Sequence, residues 1–220
     1  MKGDPIGGPI LDRIWVQILT GISNSLPEVR EQLMRDQGNL CAYCQRRIPC
    51  TMAQPHLPDM HVEHWRTQSH DDESTRQWSN LLAVCPGNPT LEDGSARESL
   101  HCDTSRGNAP LFLHPVYGQG PDPRKHLRYD YEGGIHASDG PNEYKVNNDL
   151  RLLNLDAPRL RRILRDLLRD KLKTGGFKAN AIRDFYRRYA PKQDANSLEC
   201  CQVARFYLTR WARQQGITLE

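Results

Sequence analysis

The stretch "HVEHW", residues 61–65, places two histidines and a glutamate within four positions, downstream of a closely spaced cysteine pair. Such a cluster is either chemistry or the polar edge of a strand, and spacing separates the possibilities. A zinc protease of the H-E-x-x-H kind needs two histidines one helical turn apart on one helix face. His61 and His64 are three apart with the glutamate between them, so that arrangement fails. A zinc deaminase combines H-x-E with a downstream P-C-x-x-C. His61-Val62-Glu63 meets the first half, but the C-x-x-C lies upstream and Cys85 precedes its proline instead of following one. Metal-dependent phosphodiester hydrolysis and structural zinc binding remain.

Working outward, "CAYC" at 41–44 is a Cys-x2-Cys pair, a spacing that lets two thiolates grip one tetrahedral ion from a tight turn. Cys85, closing the apolar run "NLLAVC", and Cys102, just before "DTSRG", are the expected second pair of a structural Zn²⁺ site, with 86–101 inserted between them. His101 is a possible substitute ligand. Cys50, Cys200 and Cys201 read as ordinary buried or surface residues. Seven cysteines is an odd number, and in a reducing compartment paired thiols bind metal more often than they form a disulfide framework.

The bulk composition bounds the rest. At 220 residues, 37% hydrophobic and 26% charged, the chain can bury one good-sized core or a small core with an appended helical part. No apolar run approaches the roughly 20 residues that cross a bilayer. The apolar stretch "IGGPILDRIWVQIL" is interrupted by Asp12 and Arg13 and lacks a cleavage site, so it does not read as a signal peptide. A cytoplasmic protein without membrane association is the expectation. The net charge of +3 hides an asymmetry: residues 151–220 hold 16 Lys/Arg against 7 Asp/Glu, and the remainder is acidic. That basic third suits a polyanion or an acidic protein partner.

Residues 1–40 read as an N-terminal helical segment, with Asn24 and Ser25 between two helices, Pro27 in a first turn and Gly38-Asn39 as the stop. Residues 41–115 have the texture of a small metal-supported unit. Residues 116–150 are turn-rich, with short strands expected at 127–131 and 143–146. Residues 151–220 form a basic helical segment: Asp156 as N-cap, Pro158 in the first turn, then Leu160, Ile163, Leu164, Leu167, Leu168 and Leu172 at helical spacing, ending at Gly175-Gly176. Arg159, Arg161, Arg162, Arg165 and Arg169 lie opposite that stripe. Further helices are expected near 179–189 and 197–214.

Phosphodiester hydrolysis needs a base for the attacking water and a divalent cation at the scissile phosphate. A histidine, with an ordinary pKa of about 6.5, serves as the base, and carboxylates hold the cation. Glu63-His64, Asn80 in "WSNLL" and Asp103 in "CDTSRG" supply such groups in order. Adjacent strand residues point to opposite faces, so Glu63 and His64 share a site only at a frayed or twisted strand end, and His61 has the parity of Glu63. Trp65 and Trp78 read as packing for the small core.

Taken together, "LCAYCQRRI", "VEHW", "WSNLLAVC" and "HCDTSRG" resemble an HNH endonuclease. They are most similar to the HNH nuclease (PtuB-like) subunit of Septu-type antiphage systems, which also accompanies some retrons. "LRLLNLDAPRL" and the basic leucine-rich helix after it resemble that family as well, so the likeness runs from about residue 30 to 175. It implies an α+β fold in which a zinc-stabilised ββα-metal (His-Me finger) core is flanked by helices at both ends. It implies DNA as substrate, His64 as general base, and Glu63 and Asp103 as ligands of Mg²⁺ or Mn²⁺. Asn80 would tether the loop carrying His64, Arg106 would contact phosphate, and Cys41, Cys44, Cys85 and Cys102 would hold Zn²⁺. It also implies a partner, an ABC-type ATPase (PtuA-like). Glu63 stands where Asp or His is usual and Asp103 where Asn or His is usual, both hard oxygen donors. The competing class is a catalytically inert, zinc-stapled adaptor whose basic helices hold a protein or nucleic acid.

Overall fold

The structure, a computed structural model, describes residues 27–50, 58–67, 77–87, 100–172, 178–192 and 196–219. The fold is α+β, with short two-stranded sheets among helices. Helix α1 (Pro27–Asp36) opens the described chain and buries Val29, Leu33 and Met34, one stripe at i, i+4 and i+5. It stops where Gly38 and Asn39 both take positive φ. A side chain at Gly38 would sit 2.2 Å from Ser197 Oγ, so only glycine fits this close approach of the C-terminal segment. The helix expected before Asn24 lies outside the described residues.

Strands β1 (His61–His64) and β2 (Leu81–Val84) pair antiparallel, His61 opposite Val84 and His64 opposite Leu81. All four residues of β2 are buried, which fits its unbroken apolar sequence. A 3₁₀ turn, Trp78–Asn80, leads into β2, and a one-turn helix α2 (Asp103–Arg106) follows it in the described chain. The two strands, α1, Cys41, Cys85 and Cys102 share one apolar cluster, onto which Trp65 and Trp78 pack.

A second small core lies under strands β3 (Leu127–Tyr129) and β4 (Ile135–Ala137), preceded by helix α3 (Pro123–His126). The strand expected at 143–146 is instead the start of helix α4 (Glu143–Leu152). Val146 and Leu150 are one helical turn apart and both buried, a period that a four-residue window could not display. The partner of β3 is β4, joined through a turn in which the Asp130 carboxylate accepts from the Glu132 and Gly134 amides.

The C-terminal part follows the leucine stripe. Helix α5 (Pro158–Asp166) continues as a π-helical turn, Leu167–Leu172, and is joined by α6 (Ala179–Arg188) and α7 (Cys201–Gln214). Leu164, Leu167, Leu168, Ile182, Tyr207 and Leu208 build the largest apolar cluster. The N-cap of α5 is Ala157, not Asp156, whose carboxylate is drawn to the Ile135 amide and Arg161. Arg162 and Arg165 are exposed, and Arg161 and Arg169 pair with Asp156 and Asp166. The last helix starts at Cys201 because Cys200 adopts φ 54°. No helix of the described residues is long and apolar enough to cross a membrane.

Candidate metal and carboxylate site

The cysteine knuckle is built by backbone. The Ala42 amide donates to the Ala83 carbonyl of β2, and the Gln45 amide to the Cys41 carbonyl, with Gln45 at φ 57° closing the turn. Cys85 and Cys102 are brought together at the base of the 88–99 segment. There the His101 amide donates to the Gly87 carbonyl, and the Cys102 amide donates to the Leu153 carbonyl of the segment after α4. A long insertion therefore costs the site nothing, because its two ends are pinned. The Sγ atoms of Cys41 and Cys102 are 3.8 Å apart, Cys44 and Cys85 3.7 Å, and Cys85 and Cys102 3.8 Å. Four sulfurs around a tetrahedral zinc, each at about 2.3 Å, would be spaced by about 3.8 Å. The four cysteines form a group that can hold a metal such as zinc. Hydrogen bonding from Cys102 draws the Cys85 thiol far below its ordinary range, while burial pushes Cys102 up. His101 is not among the four; its Nδ1 lies 3.1 Å from the Cys102 sulfur.

Beside this cluster, β1 and the start of α2 bring a second set of groups together. His61 Nδ1 is 2.9 Å from Asp103 Oδ2, and the Glu63 carboxyl hydrogen-bonds Asp103. His61 and Glu63 share strand parity, so they face α2 together. The Tyr43 hydroxyl, from inside the knuckle, donates to Glu63 Oε1 at 3.1 Å. Burial, with the Asp103 carboxylate alongside, pushes Glu63 up to about 7 against the pull of Arg106 and Tyr43. Burial also tends to raise Asp103, but hydrogen bonds from His61 and Glu63 and the nearby positive charge outweigh it and hold Asp103 low. The Asp103 hydrogen bond in turn raises His61 against its partial burial. Two carboxyls in contact that share a proton are a donor set in which a divalent cation can take the proton's place.

His64 ends β1, is buried, and by alternation projects to the face away from Glu63. Asn80 grips the chain just beyond it: Oδ1 accepts from the Arg66 amide at 2.7 Å and Nδ2 donates to the Arg66 carbonyl at 3.1 Å. The Trp65 amide donates to the Asn80 carbonyl, so the segment after His64 is held at three points.

Arg106 requires a correction. Its side chain is wholly buried, not poised for phosphate. Nη1 pairs with Glu63 and donates to the Tyr43 hydroxyl, Nη2 donates to the Trp65 carbonyl at 2.6 Å, and Nε donates to the Ala109 carbonyl. Because α2 is a single turn, its last residue folds back under the sheet instead of standing on an outer helix face. Tyr43 was not singled out by sequence; the available signal was a hydroxyl-bearing ring between two cysteine ligands.

Compared with protein-family models and with curated proteins, the chain finds no match in either. The chemistry of the site must therefore carry the functional reading.

Proposed function

We propose that this chain is a metal-dependent HNH endonuclease, with a zinc-stabilised ββα-metal core, that hydrolyses phosphodiester bonds of DNA. The observation that supports it most is the meeting of Glu63 and Asp103, forty positions apart in sequence, beside a four-cysteine cluster. The order of strand, strand and short helix around them supports this reading. Glu63 and Asp103 would hold Mg²⁺ or Mn²⁺, whose hard charge matches carboxylate oxygen. The bound cation neutralises charge on the scissile phosphate and lowers the pKa of water.

The chain's own residues do the remaining work. Tyr43 and Arg106 fix the Glu63 carboxyl from two sides. Asn80 immobilises the backbone after His64. In the resemblance, His64 takes the proton of the attacking water. His61 is the rival for that role, favoured by its direct contact with Asp103 and its half-exposed ring. His64→Ala and His61→Ala separate them. With zinc content unchanged in both, loss of about 10²-fold or more in cleavage marks the base. Near wild-type cleavage by both variants would sink the mechanism. The adaptor reading has support of its own in the buried Arg106–Glu63 pair, an arrangement that an inert scaffold would also use. An antiphage complex with an ABC-type ATPase belongs to the same proposal, and the exposed Arg162 and Arg165 on α5 would serve as its docking face.

A further inference from the structure

A groove of about 810 Å³ lies away from the carboxylates, between one face of α7 and the segment 113–129. Its α7 wall carries Arg205, Arg210 and Arg213, spread over one broad side of the helix. The opposite wall carries Arg124 and the ring of Tyr117, which is 80% exposed. Leu150 and Leu155 contribute to an apolar floor. The groove has two carboxylates, Asp122 and Asp149, against four arginines. Asp122 is held by Arg124, and Asp149 accepts the Phe112 and Leu113 amides. Arg210 and Arg213 form no ion pair among the described residues. Positive charge is thus in excess. Two of the arginines lie over aromatic rings: Arg205 is 3.6 Å from the Tyr186 ring centre and Arg124 is 5.1 Å from that of Tyr117.

We infer that this groove binds single-stranded nucleic acid. Dispersed cations match a chain of phosphates; a single phosphate cluster would call for converging ones. The exposed ring of Tyr117, the guanidinium groups over aromatic rings and an apolar floor match unpaired bases, which stack on such groups without regard to sequence. A duplex would present only its backbone here and leave the rings and floor unused. An acidic peptide would use the arginines but gain nothing from the rings. Tyr43 connects the groove with the carboxylate site, since its ring lines the one and its hydroxyl meets Glu63.

The test is a binding assay without added divalent cation, so it is independent of cleavage and of the nuclease reading. Anisotropy of a labelled oligothymidylate of about ten nucleotides would be titrated with the full chain across a salt series. Arg210→Glu/Arg213→Glu should weaken binding about tenfold and flatten the salt dependence by about 1.4 in log–log slope. Tyr117→Ala should weaken it several-fold with the slope unchanged, which a merely electrostatic surface would not show. Arg35→Glu/Arg187→Glu, two exposed arginines outside the groove lining, is the control and should leave binding as it is. Equal loss in that control would overturn the assignment, as would poly-glutamate or thymidine monophosphate competing as well as the oligonucleotide at matched charge. So would a matched duplex binding as tightly, or a Tyr117→Ala variant indistinguishable from wild type.

Discussion

The two halves of this molecule are held together by different means. The C-terminal helices bury a broad apolar cluster in which Leu168, Ile182, Tyr207 and Leu208 are all but inaccessible to solvent. The β1–β2 unit has two four-residue strands and a one-turn helix, and three of the twelve buried positions in its apolar cluster are cysteines. A unit so short of regular structure needs a covalent or metal staple to be stable. The difference teaches where function can sit. The cysteine cluster, which can hold a metal such as zinc, has the Glu63 and Asp103 carboxyls beside it, whereas the C-terminal cluster is held by apolar side chains.

The comparison predicts opposite responses to core damage. Cys41→Ser should have the largest effect. A structural zinc site contributes of order 10 kcal/mol of binding free energy to folding, so loss of one thiolate should release the metal and unfold the β1–β2 unit. Elemental analysis and near-ultraviolet circular dichroism would read this; full zinc retention would break the comparison. Leu168→Ala, in the other half, should cost roughly 2–5 kcal/mol through lost burial and a cavity. Its zinc content should stay at the wild-type level.

A smaller effect is expected at the edge of the cysteine-bearing half. His114 is buried against Trp65, with ring centres 4.3 Å apart, and its Nδ1 accepts from the Val116 amide. Burial, aided by the charge of Arg66, holds it down at about 4. In the unfolded chain it titrates near 6.5, so the unfolded state binds the proton first as pH falls. Its contribution is therefore present above about pH 6.5 and lost progressively down to about pH 4, amounting to roughly 2–3 kcal/mol. His114→Asn keeps an acceptor for Val116 and cannot titrate. The loss of stability between those pH values should be shallower in that variant, with zinc measured at each pH in both proteins.

What the sequence made legible follows the same division. The four cysteines and the leucine stripe could be read because each repeats one demand at a fixed chemical or helical spacing. Residues 143–146 could not, because a short alternating run suits a strand until Leu150 supplies the helical partner of Val146. Asp156 was a sound N-cap by residue type, but tertiary contacts with Arg161 and Ile135 claimed its carboxylate. Glu63 and Asp103 were nameable one by one. The contact of Asp103 with His61 and Glu63, and the inward turn of Arg106 onto Glu63, depend on the register of β1 against β2 and on how early α2 ends. Neither is encoded in any local spacing.

The central claim is that Glu63 and Asp103 serve a reaction and not the fold. Plasmid nicking by zinc-loaded protein in Mg²⁺ or Mn²⁺, with wild type and Asp103→Ala side by side, tests it. Wild type should nick, and nicking should stop when the cation is withheld. The Asp103→Ala protein should keep its zinc and its fold but not cut. An Asp103→Ala protein that nicks at the wild-type rate, or a wild type inert in both cations, would contradict the claim.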